Sequence, residues 1–194
     1  MKTNQTDRRS QRTHKLLNDA LLILLSEKRY ELITVEDIIR RADVGRSTFY
    51  AHYQDKEDLL ISNFEHMLDM MSQQLNHAAT GDQRLLPALE LFQHVQSHQH
   101  LYKAIVGGRG LESISKQGQA YFSRSIAQQL KTVTADSRTS IVPAALMADY
   151  VASSFLTLLK WWLDNNLPYS PERMEEMFQQ LVMPGVQATL GTRV

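Results

Sequence analysis

Along most of the chain, apolar residues recur at steps of three and four, the period that gathers them on one face of an α-helix. Leu17, Ala20, Leu21 and Leu24 form such a stripe in a helix predicted over 9–27. The polar run Lys28-Arg29-Tyr30-Glu31 interrupts it. Thr34 is a good N-cap with Asp37 three residues on, close to a capping box. Val35, Ile38, Ile39 and Ala42 then supply the apolar face of a short helix. Asp43-Val44-Gly45 reads as a tight turn, with the glycine placed to supply a positive φ. A second short helix is predicted over 46–53, and a longer one over 56–78 carries Leu59, Leu60, Asn63, Phe64, Met67, Leu68 and Met71 until Thr80-Gly81-Asp82 ends it. Four or five further helices are predicted, near 84–97, 98–107, 111–134, 142–165 and 171–182, with a loop at Gly107-Gly108-Arg109-Gly110 and a polar joint at 134–140. Pro87, Pro143, Pro168, Pro171 and Pro184 are expected at helix boundaries. No stretch alternates long enough for a sheet, so the expected class is all-α with about nine helices: a three-helix helix-turn-helix domain followed by a helical bundle.

Composition narrows the function. The 194 residues fit a small domain at 1–58 and a larger one at 59–194. Formal net charge is zero, but residues 1–16 set Lys2, Arg8, Arg9, Arg12 and Lys15 against Asp7 alone, a basic arm suited to a phosphate backbone. The chain has no cysteine, which excludes disulfides, thiolate chemistry and cysteine-held metals. The polar first residues do not read as a signal peptide, and no apolar run approaches a membrane span, so no membrane partner and a cytoplasmic location are expected. No glycine-rich phosphate loop, metal triad or nucleophile elbow occurs, so no catalysis and no cofactor are expected. His94 and His98 stand one helical turn apart with His100 nearby, yet no acidic residue or cysteine completes a metal site.

The pair of short helices carries the chemistry. Two helices joined by a tight turn form the unit that lays its second helix in the major groove of DNA. At about 100° per residue, Phe49 and Tyr53 share one side and should pack inward against Ile38 and the first helix. Ser47, Thr48 and Ala51 fall on the opposite side, small and polar enough to reach base edges. Tyr50 and His52 sit on the flanks, where a hydroxyl or imidazole meets phosphates. Arg46 opens the helix and can reach a guanine edge or a phosphate. Thr34, with the free N–H groups of its helix start, and Lys56, opening the next helix, are two further phosphate candidates.

Residues 34–60 resemble the TetR family of bacterial transcriptional regulators. The motif comprises Thr34 opening the helix, Ala42 before the turn, Val44 inside it, then Thr48-Phe49-Tyr50, His52, Tyr53 and Lys56-Glu57-x-Leu59. Residues 150–178, with Trp161-Trp162, Pro168-Tyr169-Ser170-Pro171-Glu172 and Met177-Phe178, are similar to one C-terminal type of that family. Together the two segments cover roughly a third of the chain. The resemblance implies Thr34, Arg46, Ser47, Thr48, Tyr50, His52 and Lys56 as DNA contacts. It also implies a homodimer on a pseudo-palindromic double-stranded operator, and a small-molecule effector cavity in the body. Two positions depart from the pattern: the family often has glycine at Asp43 and serine at Gly45. That serine commonly caps the recognition helix, so here Ser47 or the glycine backbone must serve.

In the body, Tyr150, Phe155, Leu158 and Trp162 on one helix, with Met174, Met177, Phe178 and Leu181 on the next, are expected at a four-helix dimer interface, or else in an intramolecular core. Phe92, Tyr102, Ile105, Tyr121, Phe122, Ile126 and Phe155 are candidates for a ligand wall. The function expected is a sequence-specific regulator, in the simplest case a repressor released by an effector. The alternative is a helical interaction module or coregulator answering to a protein partner.

Overall fold

The computed structural model describes residues 3–78, 85–106, 109–134 and 142–190. The described residues form nine α-helices and one 3-10 turn, with no strand, the all-helical class that the periodicity predicts. In order these are α1 (Thr3–Glu27), the 3-10 turn (Tyr30–Leu32), α2 (Val35–Ala42), α3 (Arg46–Tyr50), α4 (Lys56–Ala78), α5 (Ala88–Ser97), α6 (Gln99–Val106), α7 (Arg109–Thr134), α8 (Ala144–Asp164) and α9 (Pro171–Leu190). The chain divides into two compact units: Met1–Met71 with His100–Ile114, and Ser72–Gln99 with Ser115–Val194. The helix end expected at Thr80-Gly81-Asp82, the loop glycines Gly107 and Gly108, and residues 135–140 of the polar joint lie outside the described residues.

In the first unit the stripe on α1 is buried as its spacing requires: Leu17, Ala20, Leu21 and Leu24, joined by Leu25. Around it close Tyr30 and Ile33, then Ile38, Ile39 and Ala42 of α2, Phe49 of α3 and Tyr53 after it, Leu59 and Leu60 of α4, and Ile105 and Ile114. Each leucine, isoleucine or phenylalanine among them contributes on the order of 1.5–3 kcal/mol when fully buried. A charged frame fixes α2 against α1. Arg41 donates two parallel hydrogen bonds of 2.8 Å to the two carboxylate oxygens of Glu27, and Lys28 Nζ lies 2.8 Å from Asp37 Oδ2. The fork geometry restricts orientation as well as distance.

The second unit is built on aromatic contacts. α5 and α8 both pack on α9. Phe155 is the hub, 5.1 Å from Phe92, 5.5 Å from Phe122 and 5.9 Å from Phe178, ring centre to ring centre. Trp162 stands edge-on to Phe92, and its indole N–H donates to the Tyr169 carbonyl at 2.9 Å, so its one polar atom is satisfied in the core.

Several helix ends differ from the sequence expectation. α1 begins at Thr3 rather than near residue 9. Arg109 and Gly110, expected in a loop, open α7. α9 runs through Pro184 to Leu190 instead of stopping near 182. Proline removes one helical hydrogen bond and crowds the preceding turn. Here Val182 and Val186 are buried on either side of it, so packing outweighs the local break.

Candidate nucleic-acid interface

The site is built from α2, the turn after it, and α3. Both halves of the capping box at Thr34 are present. Asp37 N–H donates to the Thr34 hydroxyl at 3.1 Å, and Thr34 N–H donates to Asp37 Oδ2 at 3.0 Å. The Thr34 hydroxyl also donates to Asp37 at 2.8 Å. Asp37 collects further donors from Lys28 and Arg40, both at 2.8 Å. The Lys28 hydrogen bond first, then those from Thr34, hold its carboxyl well below the usual carboxylate range.

The turn assigns its left-handed residue differently from the sequence reading. Asp43, not Gly45, has positive φ (51°, with ψ 49°). Asp43 N–H donates to the Arg40 carbonyl and Val44 N–H to the Ile39 carbonyl. This pair of bonds is the Schellman closure of a helix end, which places its left-handed residue one step past the last helical residue. Gly45 is extended, φ −70° and ψ 151°, and is the N-cap of α3 without a side-chain bond. Its carbonyl accepts the first helical bond, from Phe49 N–H at 3.1 Å. The first residue of α3 is therefore Arg46, and the glycine backbone rather than Ser47 serves as its cap.

α3 is shorter than expected, ending at Tyr50, with Ala51 and His52 continuing as a turn. The division of its faces follows the helical angle. Phe49 and Tyr53 are buried in the core of the first unit. Ser47, Tyr50, Ala51 and Arg46 are exposed and Thr48 is half-buried. Arg46 lies over the Tyr50 ring at 5.7 Å and 3.8 Å from Glu36. Lys56 is engaged within the unit. Its ammonium donates to the carbonyls of Ile33 (2.7 Å), Tyr30 (2.9 Å) and Glu31 (3.4 Å), and stands 4.4 Å from the centre of the Tyr30 ring. An ammonium has three donors, and all three are directed at backbone, which differs from the phosphate contact expected of it.

His52 also has an internal partner that helical spacing does not point to. Its Nδ1 lies 3.2 Å from Nε2 of His14, on α1. His14 and Asn18, with the Tyr53 hydroxyl between them, are residues that helical spacing within 34–53 could not have revealed, because they meet the site 35 to 39 positions away in sequence.

The body residues divide. Of the expected ligand wall, Phe92, Tyr121, Phe122, Ile126 and Phe155 belong to the second unit, whereas Tyr102 and Ile105 belong to the first, where Ile105 is core. The seven thus do not line one site within either unit. Of the expected dimer interface, Phe155, Trp162, Met174 and Phe178 are buried in the single chain, at most 2% exposed. They have no surface left to offer a partner, and form intramolecular core. Tyr150 and Leu181 are exposed and Leu158 and Met177 half-buried. The described residues contain no group of three or more side chains able to hold a metal. They also contain no helix long and apolar enough to cross a membrane.

Comparison with known proteins gives two family matches. Residues 17–62 match the family described as bacterial regulatory proteins of the tetR family, and residues 87–184 match a transcriptional regulator C-terminal region. The chain is 28% identical over 184 residues to the HTH-type transcriptional regulator YxbF of Bacillus subtilis strain 168, a match covering 93% of this chain and 47% of that protein. The chain thus spans about half the length of the curated relatives it matches. Among solved structures, a TetR transcriptional regulator from Streptococcus agalactiae 2603V superposes with a TM-score of 0.55 at 25% identity, covering 91% of this chain and 97% of that one. The dihydroxyacetone kinase operon activator DhaS shares the fold with a TM-score of 0.61 at 18% identity, covering 91% and 97%.

Proposed function

Since the chain belongs to the TetR family of bacterial transcriptional regulators, we propose that it reads a pseudo-palindromic DNA operator as a homodimer, through α3 of each subunit. The observation that carries this is that Arg46, Ser47 and Ala51 are exposed and Thr48 half-buried along α3 and the turn after it, while Phe49 and Tyr53 of the same segment are locked in a core. A rigidly seated helix with small polar groups outward can enter the major groove and bring hydroxyls to base edges. Thr48 and Ser47 read bases, and Arg46 reads a guanine edge or a phosphate. Tyr50 and His52 bind phosphates on the flanks. At the start of α2, the N–H groups of Val35 and Glu36, which helix geometry leaves without an intrahelical partner, bind a phosphate beside Thr34. Lys56 serves this surface by holding the segment that leads into Thr34. Residues 1–58 are the reading head, and 59–194 supply pairing and response to an effector.

Repression is the simplest outcome of occupying an operator, and an effector that prefers one spacing of the two heads releases it. The fold accommodates the opposite sign too, since DhaS is an activator. The test is selection of binding sites from random-sequence duplex DNA by the full chain. Enrichment of an inverted repeat with half-sites about one helical turn apart is expected; no enrichment over random DNA at moderate salt would refute the reading. On the selected site, Tyr50→Phe weakens binding evenly across sequences, whereas Thr48→Ala shifts base preference.

A further inference from the structure

Three polar contacts link α1 to the end of the recognition helix. His14 Nε2 lies 3.2 Å from His52 Nδ1, His14 Nδ1 lies 2.6 Å from the Tyr53 hydroxyl, and that hydroxyl lies 3.5 Å from Asn18 Oδ1. The His14 ring stands edge-on to both partners, 4.5 Å from the His52 ring and 5.3 Å from the Tyr53 ring. A neutral imidazole has one N–H and one bare nitrogen. The chain therefore has two self-consistent polarities. In the outward one, Tyr53 O–H donates to His14 Nδ1, His14 Nε2–H donates to His52 Nδ1, and His52 is left with a proton on Nε2. In the inward one, every donor reverses: Tyr53 donates to Asn18, His14 Nδ1–H donates to Tyr53, His52 Nδ1–H donates to His14, and His52 Nε2 is a bare lone pair. Only the outward polarity gives neutral His52 an N–H for an anion.

The distances select it. At 2.6 Å the Tyr53–His14 contact is shorter than an N–H···O bond and within the range of a donating hydroxyl, Asn18 at 3.5 Å is too far to take the Tyr53 proton, and the Ser62 hydroxyl, whose bond to Tyr53 favours the phenolate, stands as a donor to that oxygen. Burial first, and then the neighbouring His52, hold the basicity of His14 below that of an ordinary histidine, which favours the neutral ring with one donor and one acceptor. We propose that His14 is a positioning residue for DNA binding, which, relayed from Tyr53, fixes His52 in the Nε2–H tautomer that donates to a backbone phosphate. This rests on the DNA-reading assignment above and names what readies one of its phosphate contacts.

The tautomer is read on the full chain without DNA, by nitrogen NMR of the histidine rings at neutral pH. A single His52 form protonated on Nε2 is expected; an Nδ1–H form, or a mixture of the two, overturns the proposal. Two variants then test the consequence on the duplex selected by the wild-type protein. His14→Gln can still accept from Tyr53 and donate to His52, and is expected to bind within about threefold of wild type. His14→Phe keeps a ring but neither function, and is expected to scramble the His52 tautomer and weaken binding about tenfold. Equal weakening by both variants would mean that the histidine serves only packing, and would also overturn the proposal. Failure of the wild-type chain to select any duplex would instead strike the DNA-reading assignment, while the tautomer measurement stands by itself.

Discussion

Lys56 and Asp37 show how single charged residues can serve the reading surface from within. The Lys56 ammonium holds three carbonyls of the 3-10 turn and the residue after it, at Tyr30, Glu31 and Ile33, just ahead of the Thr34 cap. Lys56→Met leaves those acceptors unpaired and is expected to cost about 1–3 kcal/mol in urea unfolding. A cation on a phosphate would also leave a salt signature, since each neutralised phosphate steepens the fall of log affinity with log salt by about 0.9. The expected result for Lys56→Met is weaker binding with an unchanged salt slope; a slope shallower by about one unit would return Lys56 to a phosphate. Asp37 behaves as a depressed carboxylate, by way of Lys28 and then Thr34. Its folded-state value lies below its unfolded value, so its contribution is complete above about pH 4 and is lost as pH falls further. Asp37→Asn should therefore lower the melting temperature at neutral pH and flatten its decline in acid, and a parallel decline would contradict this role. The capping box was legible in sequence because its two partners stand three residues apart. The partners of Lys56 were not, since they lie 23 to 26 residues away and are backbone atoms that any residue would provide. His14 was illegible for the same reason.

At the level of elements, hydrophobic spacing predicted faces well and ends poorly. The faces of α1, α2 and α3 follow from the helical angle alone, and Leu17, Leu21, Ile38 and Phe49 are fully buried accordingly. Ends depend on a few backbone angles that spacing does not encode. The turn between α2 and α3 illustrates this, with its left-handed residue at Asp43 and an extended Gly45. Both departures from the family pattern are thereby explained: glycine suits position 43 because it is left-handed, and serine suits position 45 because it is the cap. Aspartate tolerates the left-handed region better than most residues, but a β-branched one does not. Asp43→Val is expected to cost about 1–2 kcal/mol. At Gly45 an added Cβ would come no closer than 3.7 Å to a neighbouring side chain, so Gly45→Ser fits and gains a few tenths, about 0.3 kcal/mol, from the new cap. Chemical denaturation of both variants decides; strong destabilisation by serine would mean that the turn needs glycine after all. In α9, the exposed Pro184 interrupts a helix that packing sustains. Pro184→Ala should restore the missing bond and stabilise the chain by about 1–3 kcal/mol.

For the whole molecule, the undecided matter in the sequence was which aromatic residues face inward. Periodicity marks an apolar stripe but is silent on whether the chain's own helices or a second chain covers it, and α8 is apolar on more than one side. The fold resolves this by burial. Phe155, Trp162, Met174 and Phe178 are consumed by contacts within one chain, while Leu146 (59% exposed), Tyr150 (49%) and Trp161 (44%) remain outside. Tyr150 and Trp161 are eleven residues apart, which brings them to within about 20° around the helix, and Leu146 is one turn from Tyr150. They make an outward stripe along α8 distinct from its buried one. On α9, Leu181 is 66% exposed and stands one turn from the half-buried Met177. Large apolar side chains left outside in a row are the surface a second copy would cover, and an isologous dimer uses the same row twice. Tyr150→Asp combined with Leu181→Glu should therefore give a monomer by sedimentation. Helical content and melting should stay close to those of the dissociated wild type, because neither side chain supports the intramolecular core. Such a monomer meets one half-site at a time, so its operator affinity should fall toward that of a single half-site while base preference within the half-site persists. Phe178→Glu is the contrast: it places a charge in the core and should unfold the second unit rather than separate two folded chains. A doubly substituted chain that still sediments as the wild type does would move the pairing surface away from α8 and α9.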